Sequence, residues 1–161
     1  MSTVEAKLTE LGLVLPAPLK LPPGVTLPFP WVRVHGNRAY ISGHGPQNAD
    51  GSLAKPLGKV GAEVTLEQGH AAARLVGLSI LASLKRELGD LDRVTAWLKV
   101  LGMVNSAPGF NQQPAVVNGF TELIVALYGP ERGRHARSAV GMAQLPFDIP
   151  VEIEGEVEIR E

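Results

Sequence analysis

Cysteine is absent from the 161 residues. That removes disulfides, thiolate nucleophiles and cysteine-ligated metals together, and it fits a cytoplasmic protein. Aromatic residues are scarce, with two Trp, two Tyr and four Phe, and neither sign of charge is in surplus: 15 Lys+Arg stand against 16 Asp+Glu. With no net field to draw a polyanion and few rings on which bases could stack, no nucleic-acid partner is expected. The longest apolar run, LVGLSILASL at 75–84, is about half of a membrane span. The N-terminus, MSTVEAKLTELG, lacks the basic-then-apolar order of a signal peptide. A soluble chain with no membrane partner follows as the expectation. No Walker motif, G-x-S-x-G elbow or HExxH occurs, and the four histidines (35, 44, 70, 135) show no ligand spacing. Neither serine nucleophile chemistry nor a metal or cofactor is expected.

What is present is material for one core. Hydrophobic residues make up 45% of the chain and charged ones 19%, a balance that suits a single packed domain of this length. Residues 3–12 read as a short helix stopped at Gly12. The stretch LPAPLKLPPGVTLPFP that follows carries proline too densely for helix or central strand. Residues 1–30 are therefore read as a helix and a proline-rich arm, and 31–161 as the domain. WVRVHGNRAYISGHGP reads as a hairpin turning at His35-Gly36-Asn37. Thr65 with Gln68 forms a capping box, and Gly89 supplies a stop, which predicts a helix of about 23 residues whose face runs through Leu66, His70, Ala73, Gly77, Ile80, Leu84 and Leu88. Residues 93–104 predict a central strand, a second helix runs from about Pro114 to Gly129-Pro130, and strands at 136–143 and 151–159 close the chain. The order predicts an α+β two-layer sandwich, a mixed sheet with two helices on one face. Its other face must be polar or covered by another subunit.

Two groups of residues invite chemistry. The last strand, VEIEGEVEI, puts Glu152, Glu154, Glu156 and Glu158 on one face. The row reads as a solvated outer face or, alternatively, as the source of one base or water-holding carboxylate. On the strand before it, Arg137 shares a face with the small residues Ala139, Gly141 and Ala143. It reads as a strand-end cation, solvated or paired with one of those glutamates, or as the clamp of a small carboxylate. Gly43 and Gly45 in SGHGP would let backbone amides approach a ligand, His44 reads as the plug of a turn, and His70 as a satisfied core or interface residue.

YISGHGP, WLKVLGMVNS, VVNGF and HARSAVGMAQLPFDIPVEIEGEVE, in this order, resemble the RidA (YjgF-type, reactive-intermediate deaminase) family from about Trp31 onward. The proline-rich arm and the NSAPGFNQQP loop look like a YjgF-like subgroup. The resemblance implies a chorismate-mutase-like fold in a homotrimer with clefts between subunits. It implies Arg137 as the grip on a substrate carboxylate, Glu152 as the group that positions water, and Ser42, Gly43, Asn118 and Ser138 as substrate-binding. The implied activity is hydrolysis of enamines and imines such as 2-aminoacrylate to 2-oxo acids and ammonia. A cysteine frequent two residues after the arginine is Ala139 here. A trimeric small-carboxylate-binding or regulatory protein using the same cleft without turnover is the alternative. A remote one is an endoribonuclease, carried only by Arg132, Arg134, His135 and Arg137.

Overall fold

A computed structural model describes residues 2–161. The elements are α1 (Thr3–Glu10), β1 (Val32–His35), β2 (Arg38–His44), α2 (Leu66–Leu88), β3 (Val94–Asn105), α3 (Gln113–Gly133), β4 (Ala136–Met142) and β5 (Val151–Ile159). The strands form one mixed sheet in the order β1-β2-β5-β3-β4, in which only β3 and β4 run parallel. Helices α2 and α3 lie side by side on one face, as the capping box and hydrophobic spacing predict. Thr65 and Gln68 cap each other reciprocally, and Gly89 closes α2 in the left-handed region at φ 80°. Gly129, at φ 78° and ψ 170°, interrupts α3 just before Pro130, where the sequence places its end.

Close approach of the two helices depends on small residues. A Cβ on Gly119 of α3 would collide with the backbone carbonyl of His70 on α2, and one on Gly77 would lie 2.9 Å from Leu123. Beneath them, a Cβ on Gly102 of β3 would sit 2.6 Å from Val117. Trp97 is buried at the centre, edge-on to Phe120 at 5.6 Å and to Tyr128 at 6.0 Å.

The short helix expected over residues 3–12 is present and joins the pair in the core. Val4 and Leu8, one turn apart on α1, are buried in the same core. Ser2 caps the helix, and Glu5 holds Lys85 of α2 at 2.6 Å. Eight residues are too few to show a decisive stripe in sequence, and tertiary packing supplies what propensity does not. The arm that follows is docked rather than loose. Ala17 N–H donates to Ala49 O (2.9 Å), Lys20 N–H to Gly51 O (3.1 Å) and the Ser42 hydroxyl to Pro30 O (2.8 Å).

Among the described residues, no helix covers the opposite sheet face. It carries the glutamates of β5 together with exposed Tyr40, Val140 and Met142. No helix among the described residues is long and apolar enough to cross a membrane.

Candidate functional site

Strand alternation decides where the candidate residues go. On β4, Arg137 pairs in register with Val100 of β3, which is fully buried beneath the helices, so its side chain turns to α3. There Nη1 donates to Asn118 Oδ1 at 2.9 Å and to Thr121 Oγ1 at 3.1 Å, and Nη2 reaches the Pro114 carbonyl at 3.4 Å. Asn118 and Thr121 are three apart on α3 and present one polar ledge. Thr121 is held in turn by His135: Nδ1–H donates to Gly133 O at 2.8 Å, leaving Nε2 to accept from the threonine at 3.0 Å. Burial pushes the His135 pKa down, with a smaller push from Arg137, which keeps that acceptor neutral. The guanidinium is thus fixed by neutral oxygens alone, and no carboxylate among the described residues pairs with it.

The four glutamates of β5 are not equivalent. Glu156 pairs with Arg38, and Glu158 accepts from the Thr95 hydroxyl at 2.7 Å. Glu154 is exposed. Glu152 is half-buried, and its side chain makes no hydrogen bond to another described residue. Burial, followed by the charge of Glu154, pushes its pKa above the ordinary carboxylate value. Its carboxyl lies against Gly43, where a Cβ would overlap Glu152 Oε2. Glycine is therefore needed here for close approach, not for a turn.

Glu152 and Gly43 line a cavity of about 480 Å³. The rest of its wall is mostly apolar, with Gln47 and His44 as its other polar side chains, and comes mainly from the arm (Leu21, Val25, Phe29), from Trp31 and from Phe147. Phe29 meets Trp31 edge-on at 5.8 Å, and Trp31 leans on His44 at 4.9 Å. His44 plugs the turn: Nδ1–H donates to Ser42 O (2.6 Å) and Nε2 accepts from the Ser83 hydroxyl (2.8 Å). Burial pushes its pKa down to about 4, so it is neutral at pH 7.

The candidate residues therefore fall into two groups. Arg137 and Asn118 meet at the β4 edge, while Glu152 and Gly43 meet at the arm pocket, with Ser42 beside them tying the arm down. Ser138 is exposed on the open face beside Leu101. The two groups do not converge within one chain. Through Val100 and Met103, Arg137 and Glu152 are two strands and three residues apart in register. That is about 10 Å in each direction, and their side chains leave on opposite faces. Sequence reading missed Thr121, the Pro114 carbonyl and Phe147; the i, i+3 spacing of Asn118 and Thr121 was the available signal for the first.

Two further expectations change. Of the two readings of His70, core or interface, the core one fails: it is partly exposed and faces Glu122 of α3 at 3.2 Å. The basic run 132–137 disperses in space. Arg132 lies over the Tyr128 ring at 5.1 Å and donates to Val94 O, Arg134 is exposed, and His135 and Arg137 turn to α3.

Comparison with known proteins agrees with this fold. Residues 7–151 match the family described as "YjgF/chorismate_mutase-like, putative endoribonuclease". The chain is 41% identical over 157 residues to Protein TCP17 of Trypanosoma cruzi, covering 98% of this chain and 94% of that one. It is similar to the crystal structure of Atu1372 from Agrobacterium tumefaciens, a protein of unknown function, with a TM-score of 0.88, 40% identity and coverage of 98% and 93%. A "putative endoribonuclease" from Shewanella oneidensis MR-1 superposes with a TM-score of 0.86 at 28% identity, covering 98% of this chain and all (100%) of that one. The chain belongs to the YjgF/RidA family, with its chorismate-mutase-like fold.

Proposed function

We propose that this protein hydrolyses reactive enamines and imines of 2-amino acids, such as 2-aminoacrylate, to 2-oxo acids and ammonia, in clefts between the subunits of a homotrimer. The observation that carries the reading is the uncompensated Arg137. A half-buried guanidinium whose fixed partners are all neutral keeps its charge for an anion, and its planar fork suits a carboxylate. The separation of Arg137 from Glu152 within one chain supports a cleft completed by a second copy. The open sheet face, with Tyr40, Val140 and Met142 exposed, supports a covering neighbour.

The chemistry requires little more. The enamine tautomerises to its imine, and Arg137 holds the carboxylate. Glu152 takes a proton from water as the oxygen adds to the imine carbon. That proton passes to nitrogen to give a carbinolamine, and the hydroxyl proton follows through Glu152 to nitrogen as the carbonyl forms and the C–N bond breaks, so imine and water leave as 2-oxo acid and ammonia. A carboxyl whose pKa lies above the ordinary range suits this two-way transfer better than a fully solvated one. Asn118 and Thr121 act as positioning residues for the guanidinium.

The test couples a pyridoxal-phosphate-dependent dehydratase acting on serine to lactate dehydrogenase and follows pyruvate release. Wild-type protein should accelerate release, and Arg137→Ala should not. Saturable binding of a 2-oxo acid with no acceleration would instead identify a carboxylate-binding protein without turnover.

A further inference from the structure

The apolar volume beside Glu152 is larger than a three-carbon enamine needs. At about 480 Å³ the cavity equals roughly 16 water molecules at their liquid volume, and it lies in the range of pockets that enclose sizeable ligands. Its wall is prepared in advance. The arm that supplies Leu21, Val25 and Phe29 is held by backbone hydrogen bonds to the 49–51 loop and by the Ser42 hydroxyl on Pro30. The wall also includes Phe147, which is 71% exposed although Leu145 and Ile149, two residues to either side of it, are buried. Phe147 and Asp148 both occupy the left-handed region, at φ 58° and 57°. L-residues other than Asn, Asp or Gly rarely adopt it, and such strain is maintained where a side chain must be aimed. The turn is fixed because Asp148 O accepts from Gly58 N–H at 2.7 Å.

We propose that this pocket is the side-chain subsite of the cleft, and that it selects imines derived from large apolar amino acids, branched aliphatic or aromatic, over 2-aminoacrylate. The proposal rests on the deaminase reading for its chemistry, but its geometry does not depend on turnover. Three features fit one ligand. A carboxylate meets Arg137 from a neighbouring copy, the nitrogen-bearing carbon lies near Glu152, and an apolar substituent occupies the arm pocket. Among the described residues Glu152 is the one charged group on the pocket wall, since His44 is neutral, and Gln47 is the other polar side chain there, so the wall offers no counter-charge to a cationic side chain other than Glu152 and is mostly apolar.

Imines generated in place from alanine, leucine and phenylalanine by an L-amino acid oxidase, with semicarbazide competing for them, give the measurement. The leucine- and phenylalanine-derived imines should be hydrolysed with a kcat/KM at least about tenfold above the alanine-derived one. Phe147→Ala, and separately Phe29→Ala, should lower that ratio by about tenfold. Both rings are exposed, so the fold should survive, as a melting curve would verify. Equal rates, or a ratio that neither variant moves, would overturn the subsite and leave the deaminase reading standing. If no imine is hydrolysed, the deaminase reading falls, and calorimetric binding of 4-methyl-2-oxopentanoate and phenylpyruvate against pyruvate decides the subsite. Tighter binding of the larger acids that Phe147→Ala removes would support it. Equal or absent binding, as a pocket filled by a neighbouring copy would give, would overturn it.

Discussion

Arg137 and Glu152 face contrasting surroundings. The guanidinium is held on three sides by Asn118, Thr121 and the Pro114 carbonyl, whereas the carboxylate has no hydrogen-bond partner among the described residues and is set by packing against Gly43 and the arm. Orientation by hydrogen bonds leaves the cation charged and aimed. Partial burial without a partner leaves the acid poised above its ordinary pKa. The two halves are prepared by different physics, and they leave the sheet on opposite faces.

The contrast breaks most severely at the clamp. Arg137→Ala should lower kcat/KM by about 10³-fold, because an anion would enter the site without its counter-charge. Arg137→Lys should recover only a small part, since an ammonium cannot bridge Asn118 and Thr121 while presenting a fork to the substrate. Steady-state kinetics with the coupled pyruvate assay reads both.

On the other half, Glu152→Gln should cost about 10²-fold or more in kcat without lowering Tm. A carboxylate whose folded pKa is raised loses stability as it ionises, so a neutral isostere removes a cost at neutral pH. Wild-type activity should fall as pH drops through the raised pKa, above the ordinary glutamate range, and thermal melts of the two proteins at pH 7.5 complete the comparison. Gly43→Ala should resemble Glu152→Gln in kinetics, since the new methyl displaces the carboxylate while the flexible side chain yields without disturbing the core.

A smaller effect sharpens the Arg137 side. Thr121→Val removes one neutral acceptor and should cost about tenfold in kcat/KM, in the range of one hydrogen bond to a charged group, with KM rising more than kcat falls.

A separate effect is on stability. His44 is neutral when folded, with a pKa of about 4, and titrates near the ordinary histidine value when unfolded. Between those values only the unfolded chain binds the proton, so stability is present above about pH 6.5 and declines towards pH 4, by up to about 3 kcal/mol. Denaturant melts at pH 7.5 and 4.5 should show the difference, and His44→Gln should flatten it.

Much of the fold was legible in the sequence because its signals are local. The Thr65 and Gln68 capping box, Gly89, the Gly129-Pro130 stop and the alternation of β5 each fix an element from neighbours along the chain. The packing of α1 was not, because Val4 and Leu8 become core only when α2 and α3 lie beside them. The site divides in the same way. Arg137 and its small companions could be assigned to one face by alternation. Which of four identical glutamates differs could not, because the difference lies in Arg38, Thr95 and Gly43, each brought up by another strand. Phe147 was hidden for a further reason: the left-handed turn that exposes it has no glycine or asparagine to mark it.

The central claim is that a complete site takes Arg137 from one copy and Glu152 from another. Arg137→Ala and Glu152→Gln chains, differently tagged, co-expressed and purified through both tags, test it directly. Neither variant alone should be active. Purification through both tags leaves trimers that hold both kinds of chain, and in each of them one site of three joins an intact Arg137 to an intact Glu152, so the mixed oligomer should regain about a third of wild-type activity. Mixed oligomers that form and remain as inactive as either parent would contradict the account.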